Sequence, residues 1–325
     1  MAHAIRIHKP GGPEVMQLDE VILPPPGPGE VRLKQHAIGL NFIDVYFRSG
    51  AYPAPQGYPL VLGAEGAGEI TALGPDVTQF KVGDRVAYGT APGAYADERN
   101  IAAAVLVTLA DAISYETGAA MMLKGLTAQY LLRRTYHVKP GDTILVHAAA
   151  GGMGLLLCQW GKALGATVIG TVGSAEKAAR ATEAGADHVI LYREEDFVAR
   201  VAAITKGAKC QVVYDGVGKT TYPGSLDCLA PLGMFASFGS ASGKIENFDI
   251  NLLAPKGSLF VTRPTLFTYA AKRADLEAMA ADLMAVVASG AVKIPINARY
   301  KLADAANAHR ALEGRETTGA TVLTV

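Results

Sequence analysis

The segment Asp142–Gly154, DTILVHAAAGGMG, constrains the fold more than any other. Thr143 to His147 has the β-branched, apolar character of a buried parallel strand, and Met153 to Leu164 carries Leu155, Leu156, Cys158 and Trp160 for burial along a helix. Between them Gly151, Gly152 and Gly154 let the backbone approach a ligand closely. A helix starting there presents free N–H groups and the positive end of its dipole, a setting that favours a diphosphate. The register is imperfect, because Ala149-Ala150-Gly151-Gly152-Met153-Gly154 puts alanine where the GxGxxG fingerprint has its first glycine. A tight strand-to-helix turn without a ligand uses the same glycines.

Thr167–Val172 (TVIGTV) reads as a second strand and completes a βαβ unit of about 30 residues. Dinucleotide folds that hold a ribose 2′-hydroxyl place an acid at the end of this strand. Here the sequence is Gly170-Thr171-Val172-Gly173-Ser174-Ala175-Glu176-Lys177, with no carboxylate at the strand end. A Lys177 ammonium and a Ser174 hydroxyl suit a 2′-phosphate, which an aspartate would repel, so the expected cofactor is NADPH rather than NADH. A solvated lysine in the first turn of a helix is the competing reading of Lys177, and Glu176 beside it weakens the electrostatic argument.

Three zones follow one another in the 325 residues. The first, to about 120, is rich in Gly, Pro and short β-like runs such as Val31–Ala37, Gly68–Leu73 and Arg85–Tyr88. From about 125 to 262, strand-like runs beginning at Thr143, Thr167, His188, Gln211, Leu232 and Ser258 alternate with helical stretches, enough for a doubly wound parallel sheet. A tail follows, with helices at Asp275–Ser289 and Asp304–Leu312, a β run at Ile294–Tyr300 and a last strand, and is expected to return to the first lobe. Thirty basic residues balance thirty acidic ones, which gives no bulk attraction to nucleic acid or an anionic membrane. No apolar run reaches membrane-spanning length, no apolar leader is visible, and three widely spaced cysteines suit reduced buried thiols, so a cytoplasmic location is expected. There is no Cys-x-x-Cys pair and no metal-like histidine spacing, so no metal is expected.

The segments HKPGGPEVMQL, AIGLNFIDVYFRSGAYP, LGAEGAGEI, KGLTAQYLL, HAAAGGMG, VVYDGVGK, SFGSASG and GSLFVTRP together resemble the zinc-free, zeta-crystallin-like quinone oxidoreductases of the medium-chain dehydrogenase/reductase superfamily. The resemblance runs end to end. It implies an α/β chain with a β-rich GroES-like catalytic domain (1–124 and 264–325) and an NADPH-binding Rossmann domain (125–263). Zinc alcohol dehydrogenases of the superfamily carry a cysteine in place of Asn41 and Gly-His-Glu in place of Gly63-Ala64-Glu65, so the ligands of a catalytic metal are missing. Hydride transfer to a quinone, its oxyanion held by hydrogen bonds, is the expected reaction. An alkenal or enone reductase, a non-catalytic crystallin-like or RNA-binding role and a methyltransferase are the alternatives.

By the same resemblance Asn41, Tyr46 and Tyr52 line the catalytic cleft with Arg263. The amide can donate to nicotinamide or substrate, the phenols offer flat surface and an O–H, and the guanidinium can bind cofactor or stabilise negative charge. Cofactor contacts fall to Asn41, Thr127, Gly151, Gly152, Met153, Gly154, Gly173, Ser174, Lys177, Tyr192, Val217, Phe238, Gly239, Ser240, Arg263 and Arg315. Asp215 is a poor candidate for a general base, and His147 is expected to satisfy backbone hydrogen bonds. The run Gly257–Thr262 would be an exposed apolar edge in a monomer, and pairing it with its copy implies a homodimer.

Overall fold

A computed structural model describes residues 1–55, 57–314 and 316–325. It divides into two compact units, one of residues 1–126, 270–288 and 294–325, the other of residues 127–269 and 289–293. Arg315 lies outside the described residues.

The first unit is built on strands. In chain order these are β1 (Ala2–Ile7), β2 (Met16–Val21), β3 (Glu30–Leu40), helix α1 (Phe42–Ser49), β4 (Leu60–Val61), β5 (Glu65–Leu73), β6 (Arg85–Tyr88), β7 (Glu98–Ala102) and β8 (Val107–Thr108). Helix α2 (Tyr115–Tyr130) follows, and the division between the units falls within it. In β3 burial alternates through Val31, Leu33, Gln35 and Ala37, the mark of a sheet with one face in the core. From Ala37 to Leu40 both faces are buried, and this doubly covered end leads into α1. β3 pairs antiparallel with β5, with Gly39 opposite Glu65. The core gathers Ile7, Val31, Leu33, Ile38, Ile70, Val86, Tyr88 and Tyr95.

The second unit is a doubly wound parallel sheet. Its strands and helices alternate as β9 (Thr143–Val146), α3 (Gly152–Ala163), β10 (Thr167–Val172), α4 (Ala175–Glu183), β11 (His188–Leu191), α5 (Phe197–Ile204), β12 (Cys210–Asp215), α6 (Tyr222–Asp227), β13 (Leu229–Ser237) and β14 (Phe260–Thr262). The six strands stand in the order β11-β10-β9-β12-β13-β14, all parallel, so order reverses beside β9, where such sheets bind ligands. Leu145, Ile169, Val213 and Phe235 fill its core.

Beyond it come α7 (Leu266–Tyr269), α8 (Arg273–Ala288), β15 (Ile296–Lys301), α9 (Ala305–Glu313) and β16 (Ala320–Thr324). β16 lies antiparallel to β3, joining the end of the chain to the first unit's sheet.

In the second unit two strand starts differ from the sequence reading by more than one residue. The last sheet strand covers only Phe260–Thr262 rather than Gly257–Thr262, because Gly257 and Ser258 adopt positive φ angles (117° and 55°), outside the extended region. β13 begins at Leu229, before the expected Leu232, and Leu232 itself turns left-handed at φ 62°. Among the described residues no helix is long and apolar enough to cross a membrane.

Ile169 is wholly buried in the middle of β10. Ile169→Ala is expected to destabilise the protein by about 2–5 kcal/mol, read as an earlier urea transition of the second unit.

Candidate functional site

In the second unit β9 ends at Val146, the chain turns through Ala148 in a left-handed conformation (φ 53°), and α3 starts after Gly151. Gly151 N–H donates to the Ala148 carbonyl (2.8 Å) and Ala149 N–H to Thr171 (3.0 Å), which fixes the loop across the ends of β9 and β10. The first intrahelical bond is Leu155 N–H to Gly151 (2.9 Å), so the first-turn N–H groups have no acceptor within the helix and are free for an anion. The glycines divide their work. A Cβ on Gly154 would lie 2.3 Å from the Ala148 carbonyl oxygen, so this glycine is demanded by the packing of helix on loop. At Gly151 a Cβ would meet only that same oxygen at 3.2 Å, so nothing else in the chain fills the space beside it.

At the end of β10, Ser174 caps α4 by accepting the Lys177 N–H (3.4 Å) and keeps its own hydroxyl proton for another acceptor. Glu176 pairs with Arg180 one turn on (2.8 Å) on the helix surface. Tyr192, directly after β11 and half exposed, brings its hydroxyl to 2.8 Å from the place of a Gly173 Cβ, and Arg193 brings Nε to 3.4 Å from it. Arg193 was not among the sequence candidates. The sequence YREED shows a cation there but not that β11 returns it to Gly173. Among the described residues neither the Lys177 ammonium nor the Arg193 guanidinium has an internal partner. Glycine, hydroxyl, phenol and two free cations form a donor set that fits an extra phosphate on a dinucleotide.

Val217 follows β12, while Phe238, Gly239 and Ser240 follow β13, all at the carboxyl edge of the sheet. Arg263 follows β14 and clamps this loop, donating to the carbonyls of Ser237 (2.9 Å) and Gly239 (2.7 Å) and to Ser240 Oγ (3.1 Å). Asp215 is spent on structure: Oδ1 accepts the N–H groups of Val217 (2.7 Å) and Gly218 (2.9 Å), and Oδ2 accepts from Thr221 and Ser225. His147 bonds side-chain hydroxyls instead of the expected backbone groups, Thr171 Oγ1 at 2.9 Å and Ser225 Oγ at 3.0 Å, because its ring points across the strand ends. Burial pushes its pKa down, so it is neutral. Thr127 is half-buried in α2. Burial raises the thiols of Cys158 and Cys210 to about 12, which leaves them unreactive.

Asn41, Tyr46 and Tyr52 belong to the first unit. Asn41 is the N-cap of α1 and almost fully buried. Its Nδ2 donates to Glu65 Oε1 (2.6 Å) and its Oδ1 accepts from Lys124 Nζ (2.5 Å). Lys124 and Glu65 form an ion pair at 3.7 Å, and Glu65 Oε2 accepts the Leu123 N–H at 2.6 Å. Tyr46 and Tyr52 are both partly exposed, with ring centroids 5.3 Å apart and planes inclined by 54°. Sequence reasoning missed Lys124 and Glu65 as site residues. The available signal was charge inside two largely apolar runs, Glu65 in LGAEGAGEI and Lys124 in AAMMLKGLTAQYLL, because buried charges must be paired.

A second buried chain leaves the same helix. Asp44 Oδ2 accepts from Asn41 N–H (2.9 Å) and Tyr95 O–H (3.0 Å), Tyr95 meets His309 Nε2 (3.1 Å), and His309 Nδ1 meets Arg48 (2.9 Å), which is paired with Glu313. Asp44 Oδ1 is buried without a partner. Burial, only partly offset by these bonds, raises its carboxyl to about 7, whereas burial and Arg48 lower His309 to about 3. Among the described residues no three His, Cys, Asp or Glu side chains are grouped to hold a metal ion.

Residues 27–140 match the alcohol dehydrogenase GroES-like domain, and residues 152–285 the zinc-binding dehydrogenase family. A quinone oxidoreductase of Pseudomonas aeruginosa is 54% identical, with 99% of each chain covered. A crystal structure of the quinone oxidoreductase of Pseudomonas syringae superposes with a TM-score of 0.95 at 54% identity, over 100% of both chains. That of the Escherichia coli quinone oxidoreductase complexed with NADPH superposes with a TM-score of 0.94 at 48% identity, over 99% of this chain and 100% of that one.

The raised Asp44 carboxyl keeps its proton in the folded protein where an unfolded chain has lost it. Asp44 therefore lowers stability progressively as pH rises from about 4 to about 7, and fully above that. His309 acts in the opposite sense, stability falling as pH drops below its ordinary value of 6.5 toward about 3. Relative to the native protein, Asp44→Asn is expected to gain thermal stability as pH is raised from 4.5 to 8. Calorimetry showing a pH-independent difference would contradict this assignment.

Proposed function

The chain belongs to the quinone oxidoreductases of the medium-chain dehydrogenase/reductase superfamily, and from that membership we propose that it transfers hydride from NADPH to a quinone. The observation that carries this reading is the acid-free end of β10, where the Tyr192 hydroxyl and the Arg193 guanidinium stand against Gly173 and Ser174 and Lys177 open the next helix. When bound, NADPH supplies the hydride. The first turn of α3, Gly152 to Gly154, binds the diphosphate; Lys177, Ser174 and Tyr192 select the 2′-phosphate; and Thr127, Val217 and the Phe238–Ser240 loop, held by Arg263, orient the rest. Arg315 is retained as a cofactor contact on the resemblance alone. Tyr46 and Tyr52 offer the flat apolar surface and hydroxyls that a quinone needs, and the remaining N–H of Asn41 is a donor for its oxygen. These roles divide the chain into a GroES-like catalytic domain and an NADPH domain, as the sequence reading has it.

NADPH oxidation with 1,4-benzoquinone, in EDTA and with NADH in parallel, tests the reading. Quinone-dependent turnover that favours NADPH supports it, and turnover confined to enals or enones overturns it. In Lys177→Met the KM for NADPH is expected to rise about tenfold or more while that for NADH stays unchanged, since a charge-assisted phosphate contact is worth about 1.5–3 kcal/mol.

A cytoplasmic homodimer completes the proposal. Buried free thiols suit a reducing compartment. β14 is the outer strand of its sheet, with Phe260 56% exposed, and Leu232 and Ile250 add exposed apolar surface to the same unit. Balanced charge gives no footprint for a nucleic-acid partner. Light scattering at micromolar concentration is expected to report twice the 33.9 kDa chain mass, and the chain mass itself would refute the dimer.

A further inference from the structure

Within the first unit, Lys124, Asn41 and Glu65 close a triangle: Lys124 to Asn41 Oδ1 at 2.5 Å, Asn41 Nδ2 to Glu65 Oε1 at 2.6 Å, and Lys124 to Glu65 at 3.7 Å. A carboxylate can only accept and an ammonium can only donate, so the two charges dictate which way the Asn41 amide faces. A reversed amide would aim its NH2 group at the ammonium and its oxygen at the carboxylate. One amide N–H of Asn41 and two N–H of Lys124 remain beyond these hydrogen bonds.

Both charges are held deliberately. The Glu65 side chain is fully buried and Lys124 is only 20% exposed, where an unpaired charge would be strongly destabilising. Space for the carboxylate comes from Gly39, where a Cβ would fall 2.3 Å from Glu65 Oε1 and 2.3 Å from the Ala119 carbonyl. The approach of α2 is permitted by Gly89, where a Cβ would stand 2.8 Å from Leu123 N. A buried ion pair of this kind is weak evidence for stability, since well-packed apolar residues often serve folding as well, and its Asn41 member is the N-cap of α1, the helix that carries Tyr46.

We propose that Lys124, with Glu65 as its counter-ion, is a positioning residue for reduction of the acceptor: it locks the Asn41 amide so that an N–H is presented to the oxygen that gains negative charge. The proposal rests on the quinone reductase reading above. The positive charge that stabilises the acceptor side then comes from a lysine side chain built into α2.

The test compares Lys124→Met, Lys124→Arg and the double variant Lys124→Met/Glu65→Gln with the native enzyme. It follows folding by circular dichroism, NADPH binding by cofactor fluorescence, and benzoquinone turnover with NADPH and with NADPH deuterated at C4. Lys124→Met is expected to fold and bind NADPH as the native enzyme does, while its kcat falls by about 100-fold, the scale of a misplaced reacting group, and its deuterium isotope effect rises. Lys124→Arg, which restores charge and donors, is expected to recover part of that loss. Native-like kcat in Lys124→Met overturns the proposal, as does a loss of rate that only follows the loss of NADPH-binding sites with an unchanged isotope effect. If both Lys124→Met and the double variant fail to fold, the triad is a structural tie and the proposal fails. Native enzyme without quinone turnover removes the underlying reading as well, whereas native turnover with undiminished Lys124→Met removes this proposal alone.

Discussion

The first unit is organised around one buried carboxylate. Glu65 sits at the start of β5 with no solvent contact, and its carboxylate oxygens accept from Asn41 Nδ2 and the Leu123 N–H while the Lys124 ammonium stands 3.7 Å away. These groups come from two places in the chain. Asn41 is the residue at which β3 becomes α1, and Leu123 and Lys124 lie on α2. Satisfying one charge therefore sets the position of a strand end, a helix start and a second helix. Gly39 and Gly89 are glycines for the same reason, since a methyl group at either would push the backbone away from that meeting point.

The second unit obeys a different constraint, a helix start at α3 whose first-turn N–H groups have no acceptor within the helix. The loop from Ala148 to Gly151 is tied internally and to Thr171, so it does not collapse onto the helix end. Asp215, His147, Thr171 and Ser225 form a hydrogen-bonded set behind it that is buried and neutral at the histidine, and this set braces the strand ends rather than reacting. Arg263 belongs to the same scaffolding, with its guanidinium spread over the loop after β13.

Much of this was legible beforehand because the signals are local. Thr167–Val172 and Arg85–Tyr88 are strands to the residue, since continuous β-branched runs bounded by turn residues have few other conformations. The missing acid after β10 is a one-dimensional fact. The end of the sheet was harder: Gly257-Ser258-Leu259 is as apolar as a strand, but positive φ angles at Gly257 and Ser258, set by a turn against Pro231 and Leu232, delay the strand to Phe260. Arg193 escaped notice because its relevance depends on β11 lying beside β10, and Lys124 because its partner is 59 positions away in the chain.

By itself, then, the sequence determined the parallel sheet, its glycine turn and the absence of an acid at the end of β10, all of which follow from residue type and spacing along short stretches. Only the tertiary structure decided which charges are buried and against what. The desolvation that makes Glu65 need Lys124 and raises Asp44 is a property of the volume around each group, and that volume is assembled from segments far apart in the chain.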